Sequence, residues 1–146
     1  MNWQKPLLLV AATWNVLGGA SALIDPAQHF AQMYTASLSL DQPLQLFFYR
    51  GVWINVIAWG IAYFIAAFVP TARVAVFAAG AAGKFAYFVA CVAAFSSGVG
   101  NAALLATGLV DLVFTMLFAI AVLQMRKTSD AVQRLGWRSG KSGNAG

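Results

Sequence analysis

The sequence predicts an all-α integral membrane protein, an up-down bundle of four helices with a short interfacial helix after the first span. Three observations predict it. Of 146 residues, 61% are hydrophobic and 9% are charged, with a mean hydropathy of +0.74. An average soluble domain carries about 25% charged residues. Four apolar runs, 6–24, 43–69, 73–95 and 101–124, come close to or exceed the ~20 residues that cross a bilayer. The basic residues are also lopsided: Arg126, Lys127, Arg134, Arg138 and Lys141 all follow the last run. The positive-inside rule accounts for that asymmetry better than a nucleic-acid partner does, and no nucleic-acid partner is expected.

The first run, 6–24, is the shortest. It also fits a signal peptide, with Lys5 before an apolar stretch and Ala20-Ser-Ala22 as a cleavage site. Trp14-Asn15 interrupts that apolar stretch, so a retained span is the better reading. Asp25, Pro26 and Gln28 then form a helix-start signature of N-cap, N1 and N3 residues. Phe30, Met33, Tyr34 and Leu38 follow at helical spacing, which predicts an amphipathic helix on the membrane surface. Ser37, Ser39 and Asp41 break it.

The second run, 43–69, would span about 40 Å, so it must tilt or protrude. A very short turn joins it to the third run, 73–95, which predicts an antiparallel hairpin of the two. Ser96-Ser-Gly-Val-Gly100 turns the chain into the fourth run. Residues 1–125 thus form the bundle, and 126–146 a fraying basic tail touched to the interface by Leu135 and Trp137. With four spans, Lys5, Arg73 and the tail share one side, and Asp25, His29 and Asp41 the other. Both termini are expected in the cytoplasm and the bundle in the inner (plasma) membrane. In the third run Ala78, Ala82, Ala86, Ala90 and Ala94 repeat every four residues, beside a line of Ala75, Ala79 and Gly83. Small residues at this spacing let helices approach closely, so this run is expected to be the most tightly packed.

The polar residues inside the runs carry the functional question. A carboxylate at mid-bilayer costs roughly 2.5–3.5 kcal/mol on insertion scales, so Asp111 needs compensation. Helical rise places Lys84 about 16 Å beyond Arg73 and Asp111 about 15 Å beyond Asn101, from opposite faces. Asn15 and Asn55 come to about 13 and 18 Å into their own runs. Each helix therefore offers one polar group near the midplane. Lys84 and Asp111 are the candidate pair. They are either interhelical glue that fixes register or the wall of a cavity that binds a head group or passes a proton. Tyr87 and Cys91 share a face with Lys84, and Thr107 and Thr115 flank Asp111 by one turn each way, so all four are expected in the same cavity.

Three further residues need a reading. Arg50 lies about 10 Å into the second run and is expected to snorkel to the outer head groups, or else to hold an anion beside Tyr49 and His29. His29 reads as an exposed interfacial side chain. One histidine without a carboxylate cluster is a poor metal site, and none is expected. Cys91 has no base in sequence proximity and reads as a small buried hydrophobe. Gly136-Trp-Arg-Ser-Gly140-Lys141-Ser142 imitates a phosphate loop, but it has three residues where the motif needs four and no preceding strand.

Arg50-Gly51, Gly60-Ile-Ala-Tyr63, Gly83-Lys84 and Asp111-Leu-Val-Phe114 resemble the DoxX-like group of small bacterial four-helix membrane proteins. The resemblance spans about half the chain, and its motifs are short. It implies Arg50, Lys84 and Asp111 as site residues, and membrane subunits of quinone-linked oxidoreductases as relatives for some of the group. The chain has no cysteine pair for thiol redox chemistry. Three functions follow in order. The first is a protein that binds an apolar small molecule, or docks on a larger membrane complex, with ligand candidates Lys84, Asp111, Asn15, Asn55, Arg50 and Tyr87. The second is a quinone-binding redox subunit. The third is a proton-linked carrier, disfavoured because no repeat and no intra-run proline is visible.

Overall fold

The computed structural model describes residues 3–35 and 42–141, with side chains as far as 127. It is all-helical: α1 (Gln4–Ile24), α2 (Pro26–Met33), α3 (Pro43–Phe68), α4 (Arg73–Ser96) and α5 (Ala102–Lys141). Four of these helices are long and apolar enough to cross a membrane.

The boundaries follow from local chemistry. Asp25 ends α1 in an extended conformation, and its carboxylate accepts from the Gln28 N–H at 3.0 Å to start α2, with Pro26 as the first helical residue. Pro43 opens α3 in the same way. Val69 leaves the helical region because it precedes Pro70, and a single 3-10 turn, Pro70–Ala72, reverses the chain. Arg73 then reaches back, its Nε and a terminal nitrogen donating to the carbonyls of Ala66 and Ala67 at 3.1 and 2.8 Å. A cation on the last carbonyls of α3 satisfies acceptors that the helix leaves open. Gly98, at φ +75°, turns α4 into α5. The Asn101 side chain caps α5 through the N–H groups of Ala103 and Leu104.

The close pairs are α1 with α3 and α4 with α5, both antiparallel. The sequence-adjacent α3 and α4, expected to pack as a hairpin, touch closely only around their turn and where Tyr63 meets Gly80. Glycine decides the first pairing. A Cβ at Gly60 would sit 2.8 Å from Val16 Cγ2 and 3.1 Å from the Ala12 carbonyl, and one at Gly19 would meet Ile57 at 2.5 Å. In α4/α5, Gly108 gives the same close fit against Cys91.

Three expectations change. The α4 alanines Ala78, Ala82, Ala86 and Ala90 are exposed, and α4 is the least buried of the four long helices. Its inward face is instead Phe77, Gly80, Lys84 and Cys91. Small residues let helices meet but do not oblige them to, and here the bulkier, polar face wins. The tail does not fray at 126, because α5 runs unbroken to Lys141. No glycine or proline interrupts it between Leu109 and Leu135. Finally, α2 stops at Met33. The expected reach to Leu38, and the breakers Ser37, Ser39 and Asp41, lie outside the described residues, as do the side chains of Leu135 and Trp137.

After α2 the chain is pinned to the α4–α5 turn. Thr35 N–H donates to the Val99 carbonyl at 2.9 Å, and Asn101 N–H to the Met33 carbonyl at 3.0 Å, around an isolated bridge of Tyr34 with Gly100. Asn101 Nδ2 adds a bond to the Gln32 carbonyl at 2.9 Å. This strap ties the α1/α3 pair to the α4/α5 pair at one end. At the other end the pairs are joined by a packed core of Leu8, Tyr63, Phe77, Phe114, Phe118 and Ala121.

Candidate functional site

Lys84 is the centre of the polar interior. It lies one turn beyond Gly80 on the inward face of α4 and is 5% exposed. Its Nζ donates to Asp111 Oδ1 at 2.6 Å and to Asn15 Oδ1 at 3.1 Å. It also stands 4.9 Å from the centre of the Phe114 ring. The three polar residues come from α4, α5 and α1, so one ammonium links both helix pairs. A second layer holds them in place. Asn15 Nδ2 donates to the Val56 carbonyl at 3.3 Å, which turns its oxygen toward Lys84. Removing either charge from such a group would strand the other in low dielectric.

The group forms one wall of a cavity of about 260 Å³ between the two helix pairs. α3 contributes Trp53, Asn55, Val56, Trp59 and Tyr63, α4 contributes Gly80, Gly83 and Tyr87, and α5 contributes Thr107. His29 and Met33 of α2 close the strap end. Trp14 and Asn55 are exposed at the rim. Most of the wall surface is apolar, with a set of polar side chains converging on it, as in small-molecule sites generally.

Of the six candidate residues, Lys84, Asp111 and Asn15 are brought into direct contact. Tyr87 lines the cavity, as does Asn55, which makes no hydrogen bond to the pair. Arg50 is exposed and does not line the cavity. Thr107 is on the wall as expected, but Cys91 and Thr115 are not. Cys91 is buried against Gly108, and the Thr115 hydroxyl donates to the Asp111 carbonyl within α5 at 2.9 Å.

His29 is the clear correction. It is 6% exposed, so it is buried in the protein and not the exposed side chain expected. Its Nδ1 shares a 2.7 Å hydrogen bond with the Tyr49 hydroxyl, and its ring stands edge-on to Trp53 with centroids 4.5 Å apart. Burial holds its pKa below the usual imidazole value. The tryptophans at 14, 53 and 59 were also missed as cavity residues. Their i, i+6 spacing in α3 shows no shared face on a helical wheel, but a cavity wide enough to take two rings admits both.

No model of a protein family, no curated protein and no solved structure matches this chain. The chemistry of the cavity must therefore be read from its own residues. It can hold a largely apolar molecule against aromatic walls and offer it one ammonium donor from Lys84. Among the described residues no cluster of three potential metal-ligating side chains is found.

Proposed function

We propose that this protein is a four-span inner-membrane protein that binds a small lipophilic molecule, with its polar end on the Lys84–Asn15–Asp111 group. The carrying observation is the buried ammonium of Lys84, held by two helices and facing an aromatic cavity. A purely structural ion pair needs no adjoining hollow. In this reading the helices form an up-down bundle with both termini cytoplasmic. Support comes from Lys5 over the Phe68 ring and Arg73 on the end of α3, which place basic residues at one end, opposite α2 and Asp25. The cavity then opens in the outer half of the membrane. The DoxX-like resemblance agrees with this architecture.

The test is purification in mild detergent, followed by mass spectrometry and an absorption spectrum. A stoichiometric lipophile is expected in the wild type and not in the Lys84→Leu/Asp111→Leu double variant. A quinone among the bound molecules would turn the reading toward a redox subunit. Bulk lipid alone, equal in both proteins, would leave Lys84–Asp111 as a structural pair. Topology is tested separately: single cysteines at Gln28 and Lys127, in a Cys91→Ala background, should label from opposite sides of sealed vesicles. Labelling from the same side would overturn the four-span arrangement.

A further inference from the structure

We propose, resting on the binding reading above, that the cavity selects an electrically neutral lipophile bearing an acceptor oxygen and rejects fatty-acid anions and alkylammonium cations alike. The argument is one of charge balance. Among the described residues that line the cavity, Lys84 and Asp111 are the only formally charged pair. Their charges sum to zero whichever of the two holds the proton. His29, the other titratable group able to carry positive charge at the wall, is buried, and that burial disfavours its charged form.

An incoming carboxylate would put a second anion beside Asp111 with one ammonium to share. An incoming ammonium would compete with Lys84 for one carboxylate. Either leaves a unit of charge without a partner in an apolar wall, which proteins avoid. A neutral oxygen faces no such penalty. In the ion-paired form the Lys84 ammonium has three N–H donors, and Asp111 and Asn15 occupy two. The remaining donor fits a hydroxyl, ether or carbonyl oxygen.

Size points the same way. At about 260 Å³ the hollow falls just under the usual range for drug-sized ligands, roughly 300–1,000 Å³. It takes a polar head or one ring, with the alkyl remainder leaving past the exposed Trp14 and Asn55.

The experiment uses the full chain in nanodiscs at about pH 8, where an alkyl carboxylate is anionic and an alkylamine cationic. The probes are 1-dodecanol, dodecanoate and dodecylamine, read by tryptophan emission, since Trp14, Trp53 and Trp59 line the site. The Lys84→Leu/Asp111→Leu variant supplies the background for partition into lipid. Dodecanol should bind at least about tenfold more tightly than either ion. Asp111→Asn, which leaves the wall positive, should shift the preference to dodecanoate. Lys84→Gln should shift it to dodecylamine. Should a single variant fail to fold, the wild-type ranking still decides. Tightest binding of dodecanoate or dodecylamine to the wild type would overturn the neutral-ligand inference and leave the binding reading intact. No binding of any probe above background would remove both.

Discussion

Tyr63 marks the boundary between two differently built halves of the helical unit. Toward the Lys5 and Arg73 end, Phe77, Phe114 and Phe118 fill the space between the helix pairs, with Leu8, Ala66 and Ala121 around them. Toward the α2 end the same four helices enclose a cavity. The difference is one of side-chain volume and of how glycine is used. Gly60 and Gly19 bring α1 and α3 together, and Gly80 makes room for the Tyr63 ring. Gly18 and Gly83 touch nothing within 4 Å where a side chain would be. Gly60 and Gly19 serve helix contact, while Gly80, Gly18 and Gly83 all border the hollow. Lys84 sits where the two regimes meet, and its charge is satisfied by protein before any ligand arrives.

The largest expected effect comes from breaking the filled half. Phe118 is fully buried, with ring centroids 5.0 Å from Phe77 and 5.4 Å from Tyr63. Phe118→Ala should cost about 3–5 kcal/mol, read as a lowered unfolding midpoint in detergent. A comparable loss is expected at the boundary. Asp111→Asn leaves the Lys84 ammonium without its counter-charge, at a cost of about 3–5 kcal/mol. The Lys84→Leu/Asp111→Leu double variant should recover most of it. If the single change leaves the midpoint where it was, the pair does not stabilise the fold.

Smaller effects sharpen the contrast between the two kinds of glycine. Gly60→Ala should destabilise by about 1–3 kcal/mol through the Val16 and Ala12 contacts. Gly83→Ala has open space and should gain about 0.5–1 kcal/mol from helix propensity. Equal losses at both sites would show that the space beside Gly83 is as tightly filled as the α1/α3 contact at Gly60.

The smallest effect concerns His29. Its folded pKa is lowered by burial, so the unfolded imidazole takes a proton that the folded one resists. Stability is therefore unaffected well above the ordinary value of about 6.5 and falls as pH drops through and below it. Hydrogen exchange at α2, corrected for intrinsic rate, should quicken between about pH 7.5 and 5.5 in the wild type and not in His29→Gln. Equal quickening in both would place the pH response elsewhere.

Four long apolar helices were legible, with all their ends but that of α5, because bilayer thickness and proline and glycine punctuation leave little choice. The pairing of Lys84 with Asp111 was legible from helical rise, since charges in hydrocarbon must find each other at a common depth, but the same rise put Asn15 and Asn55 at one level and only Asn15 bonds to Lys84. Which face of α4 turns inward was not. In a membrane both faces of a helix are apolar, so alanine periodicity cannot separate packing from lipid exposure, and Ala82 and Ala86 point outward. His29 was misread for a related reason. A short helix shows its hydrophobic side, but whether that side meets lipid or roofs a protein cavity depends on α3, through Tyr49 and Trp53. Arg50 is exposed, away from the cavity.

The strap after α2 bears on the order of biogenesis. Thr35 and Met33 take their partners from Val99 and Asn101, more than sixty residues later in the chain. During synthesis α1 and α3 can pair as soon as both have entered the membrane, while α2 must wait for the α4–α5 turn to emerge. The roof over the cavity is thus fastened only once α4 and the turn after it have been made, and α5 docks later still. A nascent chain halted before Val99 would hold a formed α1/α3 pair and an unlatched α2.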